Sequence, residues 1–259
     1  MRRIIILGTA VAVLVGASVA AAATLNSYTA GLKFSPSKAG STSKPVPVQF
    51  TETYNAASAT LGNRAAPLVD IKTTIYGVKA NSKPFPACNG RKISARKTDS
   101  FCPKKALVAT GPVNALLGSP RLNIAGAPCN PFLHVWNGGG GKLWFFFTTG
   151  GKYQCGGLHT GDTAAYLGRV TQHGKNQVTD VPLPPGVSTA VAGHQGLYGS
   201  LIREVLTYKK LTAKVKGKTV AFTSSIGCKS GKRPFSVSFT AKSTAGSETK
   251  TVKGSAKCS

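Results

Sequence analysis

Histidines are the residues of this chain that ordinarily titrate near neutral pH, and the four are His134, His159, His173 and His194. His159 stands three positions before Asp162 in a His-Thr-Gly-Asp sequence. This spacing suits a base with an orienting carboxylate, or half of a metal site. It is also typical of a local hydrogen-bonded turn, which we expect here. The chain has no Gly-x-Ser-x-Gly sequence, so the nucleophile turn of α/β-hydrolases is absent.

Carboxylates are scarce. The seven in the chain are Glu52, Glu204, Glu248, Asp70, Asp99, Asp162 and Asp180. Glycoside hydrolysis needs two carboxyl groups about 5 to 9 Å apart, and no two of these stand together in a motif. The glycine run that ends in Gly141-Lys142 lacks the first glycine and the Ser/Thr of a phosphate loop. No Cys-x-x-Cys zinc motif occurs. We therefore predict no catalytic residue, no cofactor and no metal site.

Basic residues dominate the charge: 33 Lys and Arg face 7 Asp and Glu, a formal net charge of +26. Lys214, Lys216 and Lys218 alternate, so one strand would place three ammonium groups on one face. Such a row attracts anionic cell-wall polymers, acidic polysaccharide or anionic lipid heads. It is equally typical of a solvated edge strand that resists aggregation. Nucleic acid is disfavoured as a partner, because no base-stacking motif accompanies the lysines.

Aromatic residues cluster around Trp136 and Trp144, which residues 145–147 extend with three phenylalanines. They could form a platform for a sugar or a lipid, but rings in such strands more often fill a core. Alternation along a strand places some of these rings on each face of a sheet. A second sheet, a loop or a ligand must therefore cover the outer rings.

The elements that carry these residues are strands. Period-two alternation marks residues 46–51, 69–75 and 235–242 as strands with one buried face. The continuous apolar run 143–147 predicts a strand covered on both sides, paired in a hairpin with residues 133–136. Residues 199–206 fit either a short helix or a strand. We predict an all-β fold, a single large β-sandwich, jelly-roll-like or Ig-like, stapled by disulfides.

The N-terminal residues have the pattern of a secretory signal peptide, with two arginines, an apolar stretch and an Ala-x-Ala end. We expect cleavage after residue 23, and an uncleaved membrane anchor is the alternative. Cleavage would leave 31 basic and 7 acidic residues (31 − 7), a charge of +24. The expected location is secreted, extracellular or at the cell envelope, with no transmembrane segment after signal removal.

Six cysteines follow the signal segment, as expected for disulfides in an exported chain. Sequence alone leaves 15 pairings open. Pairing of nearest neighbours would close three local loops: Cys88–Cys102, Cys129–Cys155 and Cys228–Cys258. We expect one domain over residues 24–259, with residues 202–259 as a possible separate small β subdomain.

Several short motifs resemble a group of uncharacterised secreted β-sandwich proteins of high-GC Gram-positive (actinobacterial) bacteria. They are Phe-Ser-Pro-Ser-Lys-Ala-Gly at 34–40, Phe-Pro-Ala-Cys at 85–88, Gly-Cys at 227–228 and Lys-Cys at 257–258. The resemblance implies a β-sandwich, and it implies no activity that could be carried over to particular residues.

The sequence thus favours a non-catalytic secreted or cell-envelope protein whose basic surface binds anionic envelope polymers. A lectin-like or lipid-like ligand-binding module that uses Trp136 and Trp144 is the alternative. A hydrolase with a site assembled from distant residues is the third hypothesis.

Overall fold

A computed structural model describes residues 24–259 of the chain. The predicted signal peptide lies outside these residues. No helix among the described residues is long and apolar enough to cross a membrane.

The regular secondary structure of the described chain is almost entirely antiparallel strands, which confirms the all-β prediction. The strands are β1 (Asn26–Ser35), β2 (Val46–Pro47), β3 (Gln49–Ser58), β4 (Leu68–Tyr76), β5 (Val78–Ala80), β6 (Leu107–Gly118), β7 (Ala127–Cys129), β8 (Phe132–Gly139), β9 (Lys142–Thr148), β10 (Tyr166–His173), β11 (Asn176–Pro182), β12 (Tyr198–Tyr208), β13 (Thr212–Val215), β14 (Lys218–Ala221), β15 (Thr223–Ser225), β16 (Lys232–Ser243) and β17 (Gly246–Lys257). One α-helix, α1 (Gly90–Arg96), and three short 3-10 turns, Lys104–Ala106, Pro185–Val187 and Val191–Gly193, complete the secondary structure of the described chain.

The large sheet runs in the order β1-β3-β12-β6-β8-β9-β10-β11-β4-β16-β17, and β7 pairs with β6. Its two ends meet. The backbone amides of Leu25 and Asn26 donate hydrogen bonds of 2.9 and 2.6 Å to the Glu248 carboxylate on β17. Lys250 Nζ in turn donates to the Asn26 carbonyl at 2.8 Å. The sheet therefore nearly closes into a sandwich around one shared apolar core.

Several sequence expectations can be checked on these strands. The hairpin of β8 and β9 is confirmed, with Trp136 opposite Trp144. Residues 199–206 lie in a strand, β12, which pairs with both β3 and β6. Of the C-terminal strands, β12, β16 and β17 belong to the large sheet, β13 and β14 form a two-stranded sheet, and β15 pairs with β2 and β5 in a three-stranded sheet.

The expected row of lysines is wrong. Lys214 lies on β13 and Lys218 on β14, and the two strands form a hairpin. Lys216 occupies its turn with φ of 47°, and Gly217 follows with φ of 76°. Two consecutive residues with positive φ are typical of a two-residue hairpin loop. The three ammonium groups thus surround a hairpin tip instead of lining one strand face.

Three disulfides join nearest neighbours in sequence: Cys88–Cys102, Cys129–Cys155 and Cys228–Cys258. The first of them encloses α1, a helix that the sequence pattern did not indicate. Asn89 caps its first turn by accepting hydrogen bonds from the Arg91 and Lys92 amides. Ile93 of α1 is fully buried in a second apolar cluster with Trp136 and Phe146 on the outer face of β8 and β9. The segment that the Cys88–Cys102 disulfide closes therefore covers the aromatic rings on the outer face of β8 and β9.

Candidate functional site

A cavity of about 100 Å³ opens at one end of the closed sheet. Its lining comes from the start of β4, the end of β6, the end of β9, the start of β10 and the start of β12. Because neighbouring strands are antiparallel, these strand ends lie together. The walls are mainly apolar, with the following side chains prominent among them: Leu68, Ile71, Val113, Leu117, Phe147, Leu183 and Leu201.

Two β-bulges shape this lining. The pairing of β12 with β6 shifts between Leu201, opposite Ala115, and Arg203, opposite Asn114, so Ile202 is an extra residue. A bulge breaks the strict alternation of side chains and re-aims them. As a result Leu201 and Glu204, three positions apart, both line the cavity. A second bulge lies at the start of β4, and as a result Leu68 and Ile71, also three positions apart, both line the cavity.

Glu204 is the acidic group of this apolar cavity. Its burial raises the pKa of the carboxyl from 4.5 to about 7. Among residues 24–259, no side chain or amide lies within hydrogen-bond distance of the Glu204 carboxyl oxygens. A carboxyl group without a protein partner in apolar surroundings is costly for a fold, so this residue calls for an explanation beyond packing.

A polar cluster adjoins Glu204 deeper inside the sheet, around a smaller cavity of about 30 Å³ that Glu204 also lines. Tyr54 Oη donates a hydrogen bond of 2.9 Å to Glu52 Oε2 and lies 2.7 Å from Thr73 Oγ1. Burial, and then the negative charge of Glu204, raise the pKa of Glu52 to about 8, although hydrogen bonds from Tyr54 and Tyr208 act in the opposite direction. No Lys or Arg of the described chain lines either cavity.

The mouth of the cavity is formed by the segment after β9. Leu158 and His159 of this segment line the cavity, and Cys129–Cys155 joins the segment to β7. The His159 amide donates a hydrogen bond of 2.8 Å to Asp162 Oδ2. The expected hydrogen-bonded turn is therefore confirmed. The His159 imidazole is 86% exposed and lies 3.8 Å from the same oxygen, so it belongs to the mouth and not to the interior.

A second acid lies on the outer face of the sheet and is well partnered. Asp99 Oδ2 is 2.6 Å from His134 Nδ1 and accepts a hydrogen bond of 3.0 Å from Trp136 Nε1. Burial alone would raise the pKa of Asp99, but the hydrogen bonds from His134 and Trp136 outweigh it and lower the pKa. These contacts fasten the segment after α1 to β8.

The expected ligand platform is not open. Trp136 is only 5% exposed and packs within the second apolar cluster, with its indole nitrogen bound to Asp99. Trp144 is half-buried, and α1 approaches it so closely that a Cβ at Gly90 would lie 1.9 Å from its ring. The two indoles therefore hold α1 against the sheet, and a ligand platform on them stays a prediction from the sequence.

The basic side chains remain on the surface. Of the 31 Lys and Arg in residues 24–259, only Arg64 and Arg233 are buried. Within that range one Lys–carboxylate ion pair forms, between Lys250 and Glu248 at 3.7 Å. The charge is therefore largely unneutralised. It is spread over many elements and is not concentrated at Lys214, Lys216 and Lys218.

The four histidines lie on separate elements: β8, the mouth segment, the end of β10 and the loop before β12. In the described part of the chain no group of three or more His, Cys, Asp or Glu is placed to hold a metal ion.

Two interior acids escaped the sequence analysis. Glu52 lies on the buried face of β3, together with Phe50 and Tyr54. Extending the alternation of residues 46–51 by one step would have found it. No alternation pattern predicts that Glu204 faces the interior, because the bulge at Ile202 changes which residues of β12 face inward. No family model, no curated protein and no solved structure matches this chain.

Proposed function

We propose that this protein is a non-catalytic binding protein that holds a small apolar molecule in the cavity at the end of its closed sheet. The observation that carries the proposal is the cavity itself, with apolar walls and a single unpartnered carboxyl group. Binding sites for small molecules are typically concave, mostly apolar and equipped with a few polar groups. The proposal keeps the hypothesis of a lipid-like ligand, but places the ligand in the interior cavity instead of on Trp136 and Trp144.

Cavity size limits the ligand, and the apolar walls argue against a glycoside hydrolase. An engineered apolar cavity of about 150 Å³ accepts benzene, and this one measures about 100 Å³. Glu52 and Glu204 bring two carboxyls near each other, as glycosidases require. A sugar ring, however, carries several hydroxyl groups, and the mainly apolar walls offer them few hydrogen-bond partners. A compact hydrocarbon group fits best, with any longer part extending through the mouth.

Calorimetric titration of the purified, oxidised protein with cyclohexanol and toluene tests the proposal. We expect saturable binding, and we expect Ala115→Phe to abolish it, because Ala115 lines the cavity and a phenyl ring there would fill the space. Val187→Phe, at another residue that lines the cavity, is a second filling variant should the first fold poorly. Ala125→Phe on an exposed loop is the matched control and should bind normally. Absence of binding to the unmodified protein would contradict the proposal.

The unneutralised basic surface supports a second function, retention of an exported protein on anionic envelope polymers. With +24 over residues 24–259 and one Lys–carboxylate ion pair, attraction should be diffuse and strongly screened by salt. Adsorption to isolated cell walls should therefore fall steeply as the salt concentration rises. No adsorption at low salt would contradict it.

A further inference from the structure

We propose that the ligand of the cavity is a compact apolar amine, whose ammonium group binds the Glu204 carboxylate while its hydrocarbon part fills the apolar walls. This inference rests on the proposed function and names the chemical class of its ligand.

Charge is the first argument. The interior contains Glu204, without a protein hydrogen bond, and Glu52 next to it, and the cavity lining of the described chain includes no Lys or Arg. A protein with 33 basic and 7 acidic residues thus places two of its few carboxyls where no cation of its own reaches them. A buried carboxylate is stabilised only by a counter-charge or by hydrogen bonds. An ammonium group supplies both to Glu204.

Aromatic rings supply the second argument. Tyr166 and Phe147 line the same cavity as Glu204, and their ring centroids are 5.9 Å apart. Tyr166 also stacks on Phe145 at 5.3 Å. Aromatic faces attract alkylammonium groups, and the attraction grows when water is excluded. A carboxyl group beside aromatic rings is therefore suited to bind an amine. A neutral hydrocarbon would contact only the apolar walls and would leave the carboxyl group without a partner.

The position of Glu204 gives the ligand a direction. Glu204 and Tyr166 line both the outer cavity and the smaller one behind it, whereas Leu158 and His159 line only the outer cavity at its mouth. The ammonium group thus lies inside and the hydrocarbon tail points to the mouth. The titratable groups that line the two cavities are Glu204, Glu52, Tyr54, Tyr166, Tyr208 and, at the mouth, His159.

Calorimetry with cyclohexylamine and its neutral counterpart cyclohexanol tests the inference. At about pH 8 the amine is protonated and Glu204 is mostly ionised, so we expect the amine to bind at least about tenfold more tightly than the alcohol. Glu204→Gln should lose that preference, with its folding checked by circular dichroism. Asp180→Asn, which removes one carboxylate on the outer face of β11, is the matched control and should keep the preference.

A proton count gives an independent readout. At about pH 6 the Glu204 carboxyl is mostly neutral, so binding of the ammonium ion should release a proton, and at about pH 9 it should release none. Titrations in two buffers of different ionisation enthalpy measure this number. Equal affinity for amine and alcohol, or no proton release near pH 6, would overturn the inference and leave the proposed function standing. Binding of neither compound would overturn the proposed function itself.

Discussion

Asp99 and Glu204 are both partly buried acids, yet their surroundings are opposite. Asp99 contacts His134 at 2.6 Å and Trp136 at 3.0 Å, and these contacts lower its pKa. Glu204 faces an apolar cavity, and burial raises its pKa to about 7. The first acid fastens one segment to the sheet. The second stabilises nothing visible within residues 24–259.

The difference suggests which buried acid serves the fold and which serves a function. A satisfied buried acid stabilises the fold and needs no further role. An unsatisfied acid costs stability, and such a cost is typical of groups kept for binding or chemistry. On this criterion we propose the interior cavity, and not the aromatic cluster under α1, as the functional region.

The largest predicted effect is a loss of stability with rising pH. Glu52 and Glu204 have pKa values of about 8 and about 7 in the folded protein, against 4.5 ordinarily. Between these limits the folded state binds more protons than the unfolded state, so stability falls as pH rises. We expect a loss on the order of 4 kcal/mol between about pH 5 and pH 9, measured by urea unfolding.

The double variant Glu52→Gln/Glu204→Gln is the control for this slope. It should remove most of the loss, leaving the smaller contribution of Asp70, whose pKa is raised to about 6 by burial and by Asp180. A slope of the same size in this variant would show that the interior acids are not its source.

The two disulfides nearest these regions should have similar effects on stability and different effects on binding. Replacing either Cys88–Cys102 or Cys129–Cys155 by serines should destabilise the fold by about 3 kcal/mol. Only loss of Cys129–Cys155, which lines the cavity, should weaken cyclohexanol binding. Cyclohexanol binding is measured by calorimetry at a temperature well below the unfolding midpoint of either variant. If both variants bind cyclohexanol equally weakly, the two regions do not differ in their role in binding.

Asp99→Ala should destabilise the protein by about 2 kcal/mol, because it leaves Trp136 Nε1 and the His134 ring without their acceptor. Chemical unfolding near neutral pH measures the change. Asp162→Ala, which removes the acceptor of one hydrogen bond in an exposed turn, is the control and should cost much less. No difference between the two would mean that Asp99 does not anchor its segment.

Glu204→Gln should have the smallest effect and the opposite sign. Replacing an ionised, unpartnered carboxylate with a neutral amide should stabilise the ligand-free protein by about 1 kcal/mol at about pH 8. The gain should shrink near pH 5, where the wild-type carboxyl is already neutral. Destabilisation at the higher pH would indicate that Glu204 has a partner in the folded protein.

Much of the fold can be predicted from the sequence, since alternation along β3, β4 and β16 indicates which face is buried. The site is far less legible. The bulge at Ile202 depends on the pairing of β12 with β6 across the sheet, and no local sequence pattern predicts it. The alternation of Lys214, Lys216 and Lys218 predicts a strand, but the glycine after Lys216 allows the positive φ values of a two-residue hairpin loop. The α1 cover is a short capped helix without a periodic face, so only its contacts reveal its role.

Carbon-13 NMR of the Glu204 side-chain carboxyl, assigned by comparison with Glu204→Gln, tests the central claim most directly. The account predicts that this carboxyl titrates with a pKa of about 7 in the free protein and that saturating cyclohexylamine lowers that pKa by at least about one unit. Titration near the ordinary pKa of 4.5 in the free protein would contradict the central claim. A carboxyl signal whose titration does not change when the amine is added would contradict it as well.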